Sequence, residues 1–252
     1  MNILITGHEG MVGTYLAKYL IDNGNHNIIK FEGDVAERDD WEKYYRQHID
    51  TVIHLAALAG VRPSIENPEL YYHNNVIGTQ RMLEFSEYHY IERTLYASSS
   101  NAAEWWTNPY GTTKKMNEIQ ASRYEAIGMR FHTIWPGRDD MLYRKLQNGE
   151  VTMVNAGHTR DMIHVEDVSS AINVLLDNFD TVLNMKDGVV DIGTGESFAV
   201  ADIAKAYGYA GEYTNVNPSG ERIDTKADIE WLTDLGWKPK WNIIKDANRN
   251  FE

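Results

Sequence analysis

One pair of residues in this sequence has the spacing Tyr-x-x-x-Lys, Tyr110 and Lys114, and no second pair repeats it. On a helix, residues four apart share a face and lie one turn from each other. A free tyrosine loses its proton only near pH 10. An ammonium alongside favours the phenolate and lowers that value, giving a base usable near neutral pH. Just upstream, Thr94-Leu95-Tyr96-Ala97-Ser98 reads as a strand that ends in Ser98-Ser99-Ser100. A hydroxyl from Ser99 or Ser100 could share the proton of a substrate alcohol and orient it. Short motifs arise by chance. This one gains weight from its place, opening the helix that follows a serine-tipped strand.

The elements that must position this group begin at the N-terminus. Asn2 to Thr6 is a short apolar run, long enough for one buried strand. It feeds Gly7-His8-Glu9-Gly10-Met11-Val12-Gly13 and then an amphipathic stretch at Tyr15–Leu20. Strand, glycine turn and helix aim free backbone N–H groups at a phosphate. Gly7 permits the turn, Gly10 lets the backbone approach a pyrophosphate, and Gly13 lets helix and strand pack closely. A second apolar run, His26 to Phe31, ends on Glu32. A carboxylate at that tip accepts two ribose hydroxyls and repels a 2′-phosphate, which favours NAD over NADP. Asp34 and Val35 follow where a side chain could cap the adenine amino group. A third run, Thr51 to Ala57, empties into Leu55-Ala56-Ala57 and Gly60, small residues that leave room in the crevice where open parallel sheets bind ligands.

Further strands are expected at Phe131–Trp135, Val151–Asn155 and Val189–Gly193, with helices at Asp39–Gln47, Glu69–His89, Met141–Gln147 and Val165–Leu176. This alternation implies an α/β chain with a doubly wound, mostly parallel sheet. The expected division is a dinucleotide-binding Rossmann domain, 1–136 with 160–195, and a small discontinuous substrate lobe, 137–159 with 196–252. The chain has 252 residues, no cysteine and a formal net charge of −13. Absence of cysteine removes disulfides and thiolate metal sites, and no metal site is expected. The negative charge argues against a nucleic-acid partner. No run approaches the ~18 apolar residues of a membrane span. With no signal peptide visible, a cytoplasmic location is expected.

Taken jointly, GHEGMVG, VIHLAALAGVRPSIENP, YYHNNVIGT, YASSSN, YGTTKKMNE, RDMIHVEDV, IGTGESFAVADIA and ADIEWLTDLGWKPK resemble the extended short-chain dehydrogenase/reductases, specifically the NAD-dependent nucleotide-sugar epimerases and dehydratases. The resemblance implies Ser99, Tyr110 and Lys114 as catalytic residues, with Ser100 a near alternative to Ser99. It implies NAD held by Gly7, Gly10, Met11, Val12, Gly13, Glu32, Asp34, Val35, Leu55, Ala56, Ala57, Asn75, Ser98, Tyr110 and Lys114. Arg160 stands where the family often holds the sugar-nucleotide diphosphate; a surface salt bridge to Asp161 or Glu166 is the alternative. The stretch RFHTIWPGRDDML and the segment AGVRPSIENP are similar to UDP-glucuronate 4-epimerases. That assigns Ser100, Thr133, Arg138 and Arg160 to substrate, with Arg138 either gripping a sugar carboxylate or capping its loop against Asp139 or Asp140. The implied reaction is inversion at C4 of a UDP-sugar, UDP-glucuronate preferred, through a transient 4-keto sugar. A dehydratase or reductase, or a non-catalytic NAD-binding module, are the other readings, and a homodimer stays open.

The sequence departs from that family in three places. The loop from Ser99 to Tyr110 is short and carries Ala102-Ala103-Glu104 followed by Trp105-Trp106. Those tryptophans could wall the pocket, meet a partner or simply anchor the loop. The arm after the second strand is missing, and the C-terminal lobe is trimmed. Positions 100 and 101 hold serine and asparagine, so the acidic residue that serves water elimination in dehydratases is absent.

Overall fold

The computed structural model describes residues 1–24, 26–139, 141–185 and 188–247. Its centre is β1 (Asn2–Thr6), whose Ile3, Leu4 and Ile5 have no exposed surface. Successive strand residues point to opposite faces, and here Ile3 and Ile5 enter one apolar cluster while Leu4 enters another. A strand apolar on both faces belongs inside a parallel sheet covered by helices on each side. The glycine turn leads into α1 (Met11–Gly24), which returns the chain to β2 (Asn27–Lys30) beside β1, with Ile3 paired to Ile28. After α2 (Arg38–Glu42), β3 (Thr51–His54) is laid on the other side of β1.

The long helix expected over Glu69–His89 forms in three pieces: α4 (Pro68–Tyr71), a wider π turn over Tyr72–Ile77, and α5 (Gly78–Tyr88), preceded by α3 (Val61–Glu66). Next come β4 (Arg93–Ser99), a 3-10 helix (Ser100–Thr107), α6 (Pro109–Ala121) and β5 (Ala126–Phe131). Beyond them lie β6 (Thr133–Trp135), α7 (Leu142–Gln147), β7 (Met153–Asn155), β8 (Thr159–Arg160) and β9 (Met162–His164). They are followed by α8 (Val165–Asp177), α9 (Phe179–Met185), β10 (Val189–Ile192), β11 (Phe198–Ala199), α10 (Val200–Ala206), β12 (Glu212–Thr214) and α11 (Glu230–Asp234).

The main sheet has six strands in the order β10-β5-β4-β3-β1-β2, every pairing parallel. The order in which strands are added reverses between β1 and β3, and at such a switch point open parallel sheets bind ligands. The expected fifth strand, Phe131–Trp135, is corrected. The main sheet takes Ala126–Phe131, and Thr133–Trp135 turns away to pair with β9. The true strand lacks a clean apolar run because Gly128 and Arg130 interrupt it. A Cβ on Gly128 would lie 2.4 Å from the Tyr96 hydroxyl, so the position has no room for a side chain. Arg130 answers a buried carboxylate.

That carboxylate is Glu118 on α6. It accepts Ser98 Oγ from β4 at 2.8 Å, Arg130 Nε and Nη2 from β5 at 2.6 and 2.8 Å, and Lys115 Nζ at 3.0 Å. A third apolar cluster lies apart from the sheet, joining Trp135, Tyr143, Leu146, Val154 and Met162 to Ile203 and Ile243. The fully buried Asp161 ties this region to the sheet's end, accepting Thr194 N, Thr194 Oγ1, Gly195 N and Ala227 N at 2.8 to 3.1 Å. Both sheet edges carry a side-chain donor. Tyr44 donates its hydroxyl to Lys30 O on β2 at 3.0 Å, and Trp231 Nε1 donates to Asp191 O on β10 at 3.2 Å. Among the described residues no helix is long and apolar enough to cross a membrane.

Burial alone would raise the Glu118 pKa, but its bonds to Arg130, then Ser98 and Lys115, hold it below its ordinary value. A depressed carboxylate stabilises the fold above its unfolded pKa, and that contribution disappears as pH falls through the folded one. Glu118→Gln should therefore cost about 3 kcal/mol near neutral pH, the scale of a broken buried pair. Urea denaturation should show this gap from wild type closing as the pH is taken down through the acidic range.

Candidate active site

The N-terminus of α6 is built by Asn108, Pro109 and Tyr110. Asn108 Oδ1 accepts Gly111 N at 2.7 Å, and Pro109 follows in the first helical turn. Asparagine as cap with proline just inside is the arrangement such a helix start favours. The cap's amide also donates to Gly220 O at 2.9 Å. Tyr110 N donates to the buried Ser64 Oγ at 3.1 Å, so the tyrosine's backbone is fixed from α3. Its half-buried ring meets Tyr71 edge-on, centroids 6.3 Å apart. Its hydroxyl and that of Ser99 share a hydrogen bond. Burial raises the Tyr110 pKa, while the Ser99 bond and the charge of Arg138 pull it down.

The charge that acts on Tyr110 is that of Arg138. Lys114 lies one turn further on the same face, and its Nζ donates to Ala97 O at 2.8 Å. The side chain is fully buried, and desolvation lowers its pKa to about 7. Neighbouring His54, held by Thr6 Oγ1 at 2.8 Å, is lowered to about 3 by burial and then by the lysine's charge. Arg138 is the cation that favours the phenolate.

On the cofactor side, Gly7 has φ +67°, and a Cβ there would sit 2.7 Å from Ala56 N at the end of β3. A Cβ on Gly13 would sit 2.2 Å from Gly7 O. The loop closes with Gly10 N donating to Gly7 O at 3.0 Å. Met11 and Val12 pack half-buried on the sheet's first apolar cluster, and Leu55, Ala56 and Ala57 are half-buried where β3 ends. The Glu32 side chain is 72% exposed just past β2. A tight glycine turn, a fourteen-residue helix beginning at it, small residues opposite and a carboxylate at the next strand tip fit a dinucleotide.

Four residues expected near the cofactor are already engaged within the protein. Asp34 Oδ1 accepts Ala36 N at 2.9 Å, making a local turn, and Val35 is buried in the second apolar cluster. Asn75 spends its amide on Leu58 N, Leu58 O and Thr113 Oγ1, tying the β3 exit to α6. Ser98 is turned to Glu118. These side chains position the site's walls.

On the substrate side, Ser100 is buried, and its carbonyl accepts Arg222 Nη1 at 2.7 Å. Thr133 N donates to Asp161 O at 3.1 Å, and Arg138 is exposed beyond Gly137. Arg160 makes neither of the two salt bridges considered for it. Asp161 is engaged by Thr194, Gly195 and Ala227, and Glu166 accepts Trp241 Nε1. Arg160 Nη1 donates to Thr159 O and Ile223 O, and Nη2 to Arg222 O, at 2.7 to 2.9 Å. Of the alternatives for capping the Arg138 loop, Asp140 lies outside the described residues. Sequence reasoning missed Ser64, Tyr71 and Arg222. Nothing local marks Ser64 or Tyr71, but an isolated arginine after Pro218-Ser219-Gly220-Glu221 in an acidic chain was a readable signal for Arg222.

Fold and site together define a Rossmann-type protein in which Tyr110, Ser99 and Lys114 gather where α6 meets the end of β4. Residues 3–193 match the NAD dependent epimerase/dehydratase family, and the chain belongs to it. NAD is the cofactor of that family. The chain is 31% identical to protein CapI of Staphylococcus aureus over 70% of its own length and 69% of that protein. It is 26% identical to the UDP-glucose 4-epimerase of Pisum sativum, covering 96% of this chain and 92% of that one, in an alignment of 321 positions. An alignment longer than the chain means that the chain spans its relative with segments missing. Among solved structures it is similar to MoeE5, determined with UDP-glucose and NAD and with UDP-glucuronic acid and NAD, at 26% identity and TM-score 0.81, covering 98% of this chain and 96% of that one.

Because the folded lysine gives up its proton near pH 7 and an unfolded one near 10.4, the unfolded chain binds more protons between those values. Stability should therefore rise with pH across that window. Urea midpoints measured over it should rise more steeply in wild type than in Lys114→Met.

Proposed function

We propose that the protein is a UDP-sugar 4-epimerase with UDP-glucuronate as its preferred substrate. The observation that carries the reading is the hydrogen bond between Tyr110 and Ser99 at the crevice mouth, with Arg138 charged beside it. Tyr110 takes the proton of the C4 hydroxyl, and Ser99 holds that oxygen in line. A dinucleotide held by the glycine turn and Glu32 would supply the hydride chemistry that inversion at C4 requires. Lys114 braces the helix under Tyr110 through the Ala97 carbonyl. Burial raises the Tyr110 pKa, and the Ser99 hydrogen bond and the charge of Arg138 act against it. The small lobe, 137–159 with 196–252, is the substrate side in this proposal; most of a third apolar cluster falls within it, with Trp135 and Met162 joining from the neighbouring segments.

Incubation with UDP-glucose, UDP-galactose and UDP-glucuronate, read by NMR for inversion at C4, tests the reading; no inversion of any of the three would sink it. Tyr110→Phe should lose at least about a hundredfold in turnover, the low end for a positioned acid–base group, while still binding NAD. Near-normal turnover would remove Tyr110 as the base.

Arg138 supports the choice of an acidic sugar. A 4-keto uronic acid is a β-keto acid and loses CO2 when its carboxylate bond stands perpendicular to the carbonyl plane. A guanidinium fork can hold the carboxylate out of that alignment. Charged hydrogen bonds are worth about 1.5–3 kcal/mol, or about ten- to a hundredfold in affinity. Arg138→Ala should weaken UDP-glucuronate by that order and leave UDP-glucose nearly unchanged. Equal weakening of both would mean that the arginine serves the loop instead.

A further inference from the structure

We propose that Arg222 is a positioning residue for the Ser99–Tyr110 pair, acting through the single peptide group that holds the serine hydroxyl. The inference rests on the reading of that pair as the reacting one. Its main test needs no sugar, so its failure and that of the epimerase reading are separable.

Ser99 and Tyr110 stand at the two ends of one short excursion of the chain. Ser99 closes β4, the 3-10 helix follows over Ser100–Thr107, and Asn108 caps the helix that carries Tyr110. Runs of 3-10 helix beyond three or four residues are uncommon because their hydrogen bonds are poorly aligned. This one has eight residues and leaves helical geometry at Glu104, so it needs support from outside. The turn at 218–222 supplies it at three positions spaced by four. Arg222 Nη1 donates to Ser100 O at 2.7 Å, Arg222 Nε to Glu104 Oε1 at 3.0 Å, and Asn108 Nδ2 to Gly220 O at 2.9 Å.

The first of these contacts reaches the chemistry. The carbonyl of Ser100 and the N–H of Asn101 belong to one peptide group, which is planar and turns as a unit. Arg222 grips its oxygen, and its N–H donates to Ser99 Oγ at 3.2 Å. Asn101 Nδ2 donates to the same oxygen at 3.4 Å. A serine hydroxyl has two acceptor sites and one proton to give. With Asn101 on both acceptor sites, the Ser99 proton is the one left for the hydrogen bond with the Tyr110 hydroxyl. Turning the peptide group would release Ser99 from that arrangement.

The turn can brace the loop because it is itself held on two other sides. Glu221 pairs with Arg62 of α3 at 2.9 Å, and a Cβ on Gly220 would lie 3.2 Å from both Ile65 Cδ1 and Thr107 O. Behind it, Arg160 holds Arg222 O and Ile223 O at 2.9 and 2.8 Å, and Thr159 N donates to Ile223 O at 3.0 Å. The Arg222 side chain is 15% exposed. A guanidinium presents several N–H groups in a rigid fork and so serves a carbonyl and a carboxylate together.

Fluorine NMR of NAD-saturated protein carrying 3-fluorotyrosine tests this, with the Tyr110 resonance among those of fifteen tyrosines assigned through Tyr110→Phe. Arg222→Met should move that resonance in the same direction as Ser99→Ala. In a Ser99→Ala background, Arg222→Met should move it no further, because the double-mutant cycle removes an effect transmitted through Ser99. Should Arg222→Met fail to fold, the same cycle is read on Arg222→Lys, which keeps the charge and loses the fork. In turnover of whichever UDP-sugar is inverted, Arg222→Met should lower kcat by at least about tenfold with KM nearly unchanged, a misplacement of about 1 Å costing about a hundredfold. If the resonance stays in place, or if its shift persists undiminished without Ser99, the proposal is overturned. A loss carried by KM alone would make Arg222 a substrate contact and overturn it equally. Absence of inversion by wild type would sink the epimerase reading and leave the fluorine result standing.

Discussion

The structure depends on one helix face being fastened to one strand. Tyr110, Lys114 and Glu118 follow at intervals of four along α6, and all three meet β4: the phenol at Ser99, the ammonium at the Ala97 carbonyl, the carboxylate at Ser98. Each group has been taken largely out of water, which is costly unless every polar atom finds a partner. The partners sit on consecutive residues of a strand whose neighbours pair on both sides. The helix cannot slide along β4 without unmaking all three contacts together. The position of the Tyr110 phenol is thus set together with Lys114 and Glu118, one and two turns further along the helix.

The third apolar cluster is joined to this frame by a different device. Asp161 buries a carboxylate and satisfies it with backbone N–H groups and one hydroxyl from the chain after β10 and the chain before α11. Close by, Arg160 grips the carbonyls of Thr159, Arg222 and Ile223, and Arg222 grips that of Ser100 and pairs with Glu104. In a chain of net charge −13, these guanidinium groups are thus answered by carbonyls and a carboxylate of the protein itself.

Much of this was legible in the sequence, for a physical reason. The apolar run of Asn2–Thr6, the glycine turn and the serine-tipped strand are local patterns, and local patterns survive translation into structure. The fifth strand was misread because Gly128 and Arg130 make sense only against Tyr96 and Glu118, which lie far away in sequence. The direction of Lys114 was equally hidden: spacing puts it on the face of Tyr110, but the carbonyl that receives it belongs to another element. Asn75 and Ser98 carry the residue types of a binding site, and the structure spends them on its own walls.

The two side-chain donors at the sheet's margins have a consequence beyond this molecule. A parallel sheet that stops at a four-residue strand leaves a row of carbonyls and amides that another chain can copy and extend. Tyr44 occupies Lys30 O on one margin, and Trp231 occupies Asp191 O on the other. Lys30 adds a charge where a fresh strand would have to align. Each aromatic side chain thus takes one edge acceptor out of reach of an added strand, at both margins of the sheet.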